Sequence, residues 1–260
     1  MKYWLSALAL IVIWGLGKVC WENRLAAERR VIMVGQDLPM NYQLRDSLGQ
    51  GFTMAALGGF RGLAADSLWF TLTTAWEDQE WERVQAMAEM CVLLQPRVTF
   101  YWDMGAWNLA WNASVAVENA PLEKGKIDRR KHDSMMWIEA GRDLLERGIR
   151  VIPERPILYQ RLGDLYWQRL GEYEQAAEYY KEALKRPKAP LYLERFVGFA
   201  LEKAGKNREA YEYWKQLWQS SKEHPEQSQH RWDVIEDHIR KLEGDMKIPA
   251  EQRFFQKEVR

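Results

Sequence analysis

Residues 170–184, LGEYEQAAEYYKEAL, and residues 204–218, AGKNREAYEYWKQLW, carry one pattern at a spacing of 34 residues. Gly171, Tyr173, Ala176, Tyr180 and Leu184 return as Gly205, Asn207, Ala210, Trp214 and Trp218. A period of this size is the mark of stacked helix–turn–helix units rather than of a closed globule. One such unit is too small to bury its own apolar face, so each is stabilised by its neighbours, and the stack presents an extended surface suited to binding.

The wider composition agrees. Hydrophobic residues make up 47% of the 260 residues with only 9 prolines, so most of the chain is expected to fold. No run of alternating β-branched residues bounded by turn residues occurs, which points to an all-α protein. Lys+Arg and Asp+Glu both total 37, so nothing in the net charge argues for a nucleic-acid partner. Two cysteines, Cys20 and Cys91, make no disulfide framework; Cys91 falls on a helical apolar stripe and reads as a small buried hydrophobe.

Working outward from the two clear copies, residues 154–187 and 188–221 each make a unit. The first has one extra residue before Gly171. Upstream, 64–77 and 79–96 pair as a degenerate unit, and YWDMGAWNLAWNASVAV from Tyr101 starts another whose second helix is delayed to Ser134–Arg150. Between them, 118–133 is polar and reads as an inserted, solvated loop in which Arg129, Arg130 and Lys131 stand in a row. Residues 228–243 alternate apolar and charged positions at helical spacing, as a terminal capping helix requires, and 244–260 reads as frayed or partner-dependent.

This pattern resembles the tetratricopeptide repeat, the 34-residue helix pair with small residues at positions 8, 20 and 27. In the copy over roughly 188–221, counted from Leu191, Gly198, Gly205, Ala210, Trp214 and Leu217 take positions 8, 15, 20, 24 and 27. The resemblance implies a helical-hairpin solenoid of about four units over 64–225, closed by a cap and tail over 226–260. It also implies a concave groove lined by the first helix of each unit. Carried onto this sequence, that groove includes Trp69, Trp76, Trp107, Trp111, Trp167, Tyr192, Arg195 and Phe199. Trp107 and Trp111 are one turn apart and fit the groove and the core equally well. The basic and asparagine positions with which some members hold a terminal carboxylate are absent. The segment GGFRGLAADSLW (58–69) is similar to one in membrane-anchored bacterial proteins of this type, where it lies between anchor and repeats. Arg61 and Asp66 are its charged residues; a structural ion pair tying the first helix to the next unit is expected, with a partner contact as the second reading.

The N-terminus extends that expectation. From Tyr3 to Trp21 only Lys18 is charged, a stretch of 19 residues, about enough to cross a hydrocarbon core with aromatic residues near both ends. Residues 1–22 therefore read as a single transmembrane anchor followed by a linker and lead-in segment over 23–63. A cleaved signal peptide and lipidation of Cys20 are the rival readings; both lack a good processing site. Counted literally, Lys18, Arg24, Arg29 and Arg30 after the span against Lys2 before it favour a cytoplasmic body. A short basic tail followed by an apolar core is, however, how a signal-anchor starts, and export of the body from a bacterial inner membrane into the periplasm is the expected topology.

No catalytic motif is present. HExxH, phosphate-binding glycine loops and nucleophile elbows are all missing, and His230 and His238 are too far apart on one helix to share a metal. The expected function is a non-catalytic scaffold that binds a protein partner in an envelope complex, with no cofactor and no nucleic acid. A structural subunit of a membrane enzyme or secretion complex is one alternative, and a peptidoglycan- or glycan-binding protein is another.

Overall fold

A computed structural model describes residues 59–122, 128–223 and 231–255. Among these residues every regular element is helical, as the composition predicts. The anchor expected over 3–21, Cys20 and the lead-in segment up to residue 58 lie outside the described residues. No helix among the described residues is long and apolar enough to cross a membrane.

The chain divides into two compact units, one up to Leu144 and the other from Leu145, a division that falls inside a helix. The first unit opens with α1 (Arg61–Glu77) packed along α2 (Trp81–Leu94). Next comes a continuous helical run made of α3 (Thr99–Trp107), a π turn (Asn108–Ala113) and α4 (Ser114–Asn119). The long helix α5 (Arg130–Val151) follows the insertion. The core of the α1–α2 hairpin is Leu72, Ala75, Val84, Met87 and Ala88, with Trp69 and Trp81 packed on it.

α5 starts at Arg130, four residues before the expected Ser134, so some of the basic run belongs to a helix and not to the loop. Asp128 explains the early start. Its Oδ1 accepts the Arg130 backbone N–H at 3.1 Å, which satisfies one of the orphan donors of the first turn. The Arg130 guanidinium grips the same carboxylate and donates to the Ala120 carbonyl at 3.2 Å, closing the two ends of the insertion. Those hydrogen bonds hold the Asp128 carboxyl down at about 2.

The second unit repeats one hairpin twice. α6 (Pro156–Leu165) continues through a π turn (Tyr166–Leu170) and packs on α7 (Tyr173–Leu184); α8 (Leu193–Lys203) packs on α7 and on α9 (Asn207–Glu223). α10 (Trp232–Asp245) then lies against α9. In both hairpins a glycine of the first helix faces an aromatic ring of the second. A Cβ built on Gly163 would lie 2.5 Å from the Tyr180 ring, and one on Gly198 would lie 2.3 Å from the Trp214 ring. Real carbon atoms do not approach so closely, so glycine is what lets these helices cross over a ring.

The π turn accounts for the extra residue. Gly163 and Gly171 are eight positions apart where Gly198 and Gly205 are seven apart, and a wider turn absorbs one residue without breaking the helix. The bond that closes the helix end widens with it: Glu172 N–H donates to the Tyr166 carbonyl six residues back, whereas Lys206 N–H reaches Leu201, five back.

The helix ends share a left-handed cap. Gly205 has φ 73° and Gly171 φ 69°, and at the end of α1 the same place is held by Gln79 at φ 57°. Glu80 N–H donates to the Ala75 carbonyl and Gln79 N–H to that of Trp76, repeating the bonds of Lys206 and Gly205. A side chain in this conformation costs roughly 1–2 kcal/mol, some of which glycine gives back as unfolded-state entropy. Gln79→Gly is therefore expected to raise the stability of the full chain by about 0.5–1 kcal/mol in chemical denaturation.

The tail, described as far as residue 255, turns back onto α9 and α10. Ile248 N–H donates to the Glu243 carbonyl, and Phe254 N–H to the buried Glu243 carboxylate at 2.7 Å. Phe255 meets the edge of Trp218 on α9 with ring centroids 4.9 Å apart. A carboxylate and an aromatic ring at long sequence separation pin the return.

Candidate functional site

The predicted groove residues are divided between the two units, Trp69, Trp76, Trp107 and Trp111 in the first and Trp167, Tyr192, Arg195 and Phe199 in the second. In the first, Trp69 stands one turn below Thr73 on α1, and its ring lies 4.9 Å from Phe100 and 5.6 Å from Tyr101 of α3. The Tyr101 hydroxyl donates to Asp66 Oδ1 at 2.6 Å. This hydrogen bond ties the first helix to the next through Asp66, one of the two residues expected to make that tie. Trp76 and Phe100 remain 41% and 48% exposed.

Trp107 and Trp111 stack face to face at 4.7 Å, with planes 11° apart. Trp111 is buried and belongs to the core; Trp107 is half-buried. The π turn between them is where α5 comes closest: a Cβ on Gly141 would lie 2.7 Å from Ala110 Cβ and 2.9 Å from the Ala106 carbonyl oxygen. Assigning groove positions by counting along an ideal helix cannot anticipate that widening.

In the second unit an aromatic ladder runs along α8. Phe196 touches Tyr180, Tyr192 and Phe199 at centroid distances of 5.6, 5.8 and 6.1 Å. Tyr192, a predicted groove residue, is half-buried and donates from its hydroxyl to Gln160 Oε1 at 2.9 Å. Trp167 packs edge-on against Tyr173, and Arg195 is partly buried. Phe199 lies between Trp214 and His238. Phe196 falls outside the predicted groove positions, yet it is the exposed member of the ladder.

The charged centre of this unit is Glu202. Its Oε1 accepts the indole N–H of Trp214 at 2.9 Å and meets His238 Nδ1, while Oε2 accepts from Lys241 Nζ at 2.9 Å. His238 stacks on Trp214 at 5.0 Å, so one carboxylate fastens α10 to both helices of the preceding hairpin. Burial opposes its charge, but the hydrogen bonds from His238, Lys241 and Trp214 outweigh that and bring the Glu202 carboxyl below its usual range. In the preceding hairpin Asp164 has a similar role, accepting from Tyr180 at 3.0 Å.

A lowered folded-state pKa means that the unfolded chain takes up this proton first. The stabilisation is complete above the ordinary carboxylate value of 4.5 and is lost as pH falls through the lower folded value. Denaturation of the full chain at stepped pH is expected to show a loss of stability on acidification that Glu202→Gln makes shallower. An unchanged slope in the variant would remove Glu202 from that role.

Burial, with the Asp66 charge, pushes the Cys91 thiol up to about 12, and burial with the Glu243 bond takes the Tyr211 hydroxyl to about 12. Every resolved shift in the two units moves its group away from neutrality. Among the described residues no group of His, Cys, Asp and Glu is placed to hold a metal ion. A cleft of ≈ 650 Å³ on α7 and α9 is walled by Lys181, Arg208, Glu209 and Glu212, of which Lys181 and Glu209 pair at 3.3 Å. What both units offer is aromatic surface with fixed acceptors at its edge, which suits anchoring contacts to another macromolecule. No protein-family model matches the chain, and comparison with curated proteins finds no match either.

Proposed function

We propose that this protein is a membrane-anchored scaffold of the tetratricopeptide type, which holds a protein partner in an envelope complex and carries out no chemistry itself. The observation that carries this reading is the recurrence of one hairpin contact, Gly163 on Tyr180 and Gly198 on Trp214, in the stretch where the sequence repeats. Repetition of a close-crossing hairpin extends a surface, and extended helical surfaces bind other chains. The half-exposed aromatics on the first helices, Trp76, Phe100 and Phe196, supply contact area at low rotamer cost. The apolar stretch over 3–21 is the proposed anchor, with the repeats on its periplasmic side.

Extraction of the full chain from membranes in mild detergent, followed by size-exclusion chromatography and mass spectrometry, tests this reading. The expected result is one partner protein in fixed stoichiometry, reduced by Phe196→Ser or Phe100→Ser. A chain that elutes alone from its native membrane under several extraction conditions would overturn it.

A further inference from the structure

The outer stripe of α1 departs from the way the rest of the first unit treats its apolar residues. Leu63, Asp66, Phe70, Thr73 and Glu77 follow one another at steps of three and four, the spacing that aligns side chains along one helix face. All five are exposed, Leu63 at 64% and Phe70 at 79%. Beside them stand Trp76 and the Trp69–Phe100 pair, so the apolar surface is a band along the helix rather than one stray ring. Exposed apolar patches of this kind mark interaction sites in folded proteins.

The charge around the band has a sign. The whole chain is neutral, but residues 59–122 hold eight Asp and Glu against Arg61, Arg83 and Arg97, a net of −5, and no lysine occurs between Lys18 and Lys124. α1 ends on Glu77 and Asp78 with no basic residue in its last turn. Acids there meet the negative end of the helix dipole, which is unfavourable until a cation approaches. The next arginine along the chain, Arg83, is tied to Glu80 at 2.7 Å.

We infer that the outer stripe of α1 docks an amphipathic, lysine- or arginine-bearing helix of the partner protein. Its apolar side chains sit on Leu63 and Phe70, and its cations lie towards Asp66 and Glu77. The inference rests on the scaffold reading and adds to it a face and a partner chemistry. An apolar helix laid along an apolar stripe is a common recognition mode, and complementary charge sets its register and partner choice. An anionic lipid surface would meet like charge on this face.

The test uses the full chain in nonionic detergent and two helical peptides of about 15 residues, a length that gives a helix of several turns. Both carry leucines at steps of three and four; one has lysines elsewhere and the other glutamates. By fluorescence anisotropy the lysine peptide is expected to bind at least about tenfold more tightly, and to weaken as salt screens the charges. Phe70→Ser and Glu77→Lys should each weaken it about tenfold, while Met136→Ser, at an exposed position of α5, leaves it unchanged. Phe70 is exposed, so serine there should leave the thermal midpoint in place, and that measurement accompanies the binding curves. Equal affinity for the two peptides, or lysine-peptide binding indifferent to Phe70→Ser, overturns the inference. So does quenching by brominated lipid of a fluorophore placed through Phe70→Cys, which names the membrane as occupant, or self-association lost on Phe70→Ser, which names a second copy. If the peptides fail while a native partner still copurifies with the Phe70→Ser chain, the scaffold reading stands and this inference falls.

Discussion

Trp214→Ala is expected to destabilise the second unit by about 3–5 kcal/mol, the range for emptying the site of a fully buried large aromatic. Trp214 is completely buried between α8 and α9. It also supports the charged centre, since its indole N–H donates to Glu202 and its face carries the His238 ring. Its loss therefore leaves a cavity and loosens α10 together. Gly198 makes the prediction sharper. A Cβ there would lie 2.3 Å from the Trp214 ring, so Gly198→Ala alone should cost about 1–3 kcal/mol through overpacking. In the Trp214→Ala background the same methyl group enters the vacated space, and its cost should disappear or change sign. Urea denaturation of the four members of that cycle, followed by circular dichroism, is expected to give a coupling energy well above the few tenths of a kcal/mol typical of independent sites. Additive effects would mean that the ring is not where the helices cross.

Gly141→Ala carries the second large effect, in the first unit. The new methyl group would lie 2.7 Å from Ala110 Cβ, 2.9 Å from the Ala106 carbonyl oxygen and 3.1 Å from the Ala110 nitrogen. Two of the three obstacles are backbone atoms of the α3 run and its π turn, so no rotamer change relieves them. The expected loss is about 1–3 kcal/mol, at the upper end because the helices must move apart. Gly105→Ala supplies the comparison. Its methyl group would meet Leu144 Cδ2 at 2.9 Å and Ala88 Cβ at 3.2 Å, and the leucine can swing away. Denaturation midpoints should therefore fall further for Gly141→Ala than for Gly105→Ala, and the reverse order would contradict the close crossing of α5 over the π turn.

The helical hairpins were readable because their signals are local. Gly171 and Gly205, which hold left-handed caps, and the aromatic residues nine positions after them, Tyr180 and Trp214, recur at the 34-residue period. The α5 start was also readable, since Asp128 stands two residues ahead of the first helical position, but the basic run beside it reads as solvated loop instead. Other features depend on contacts between distant residues. Glu202 and His238 are thirty-six positions apart, and Trp218 reaches Phe255 across α10. Neither pairing leaves a periodic trace. The groove lay between these cases: Trp69, Tyr192 and Phe199 sit in the aromatic clusters, whereas Trp111 turns inward and Phe196, outside the predicted positions, faces solvent. A π turn rotates the residues that follow it, so a count along an ideal helix loses its register beyond Asn108 within that helical run.

The left-handed caps have a kinetic consequence. Gly171, Gly205 and Gln79 each close a helix end within a few residues, so the two arms of a hairpin meet after a very short loop. Loop-closure entropy is small at that length, and contacts close in sequence form early. Each hairpin can therefore assemble as soon as its own residues leave the ribosome, without waiting for downstream chain. Glu202 must wait for His238 and Lys241, so the fastening of α10 is the step that completes the second unit.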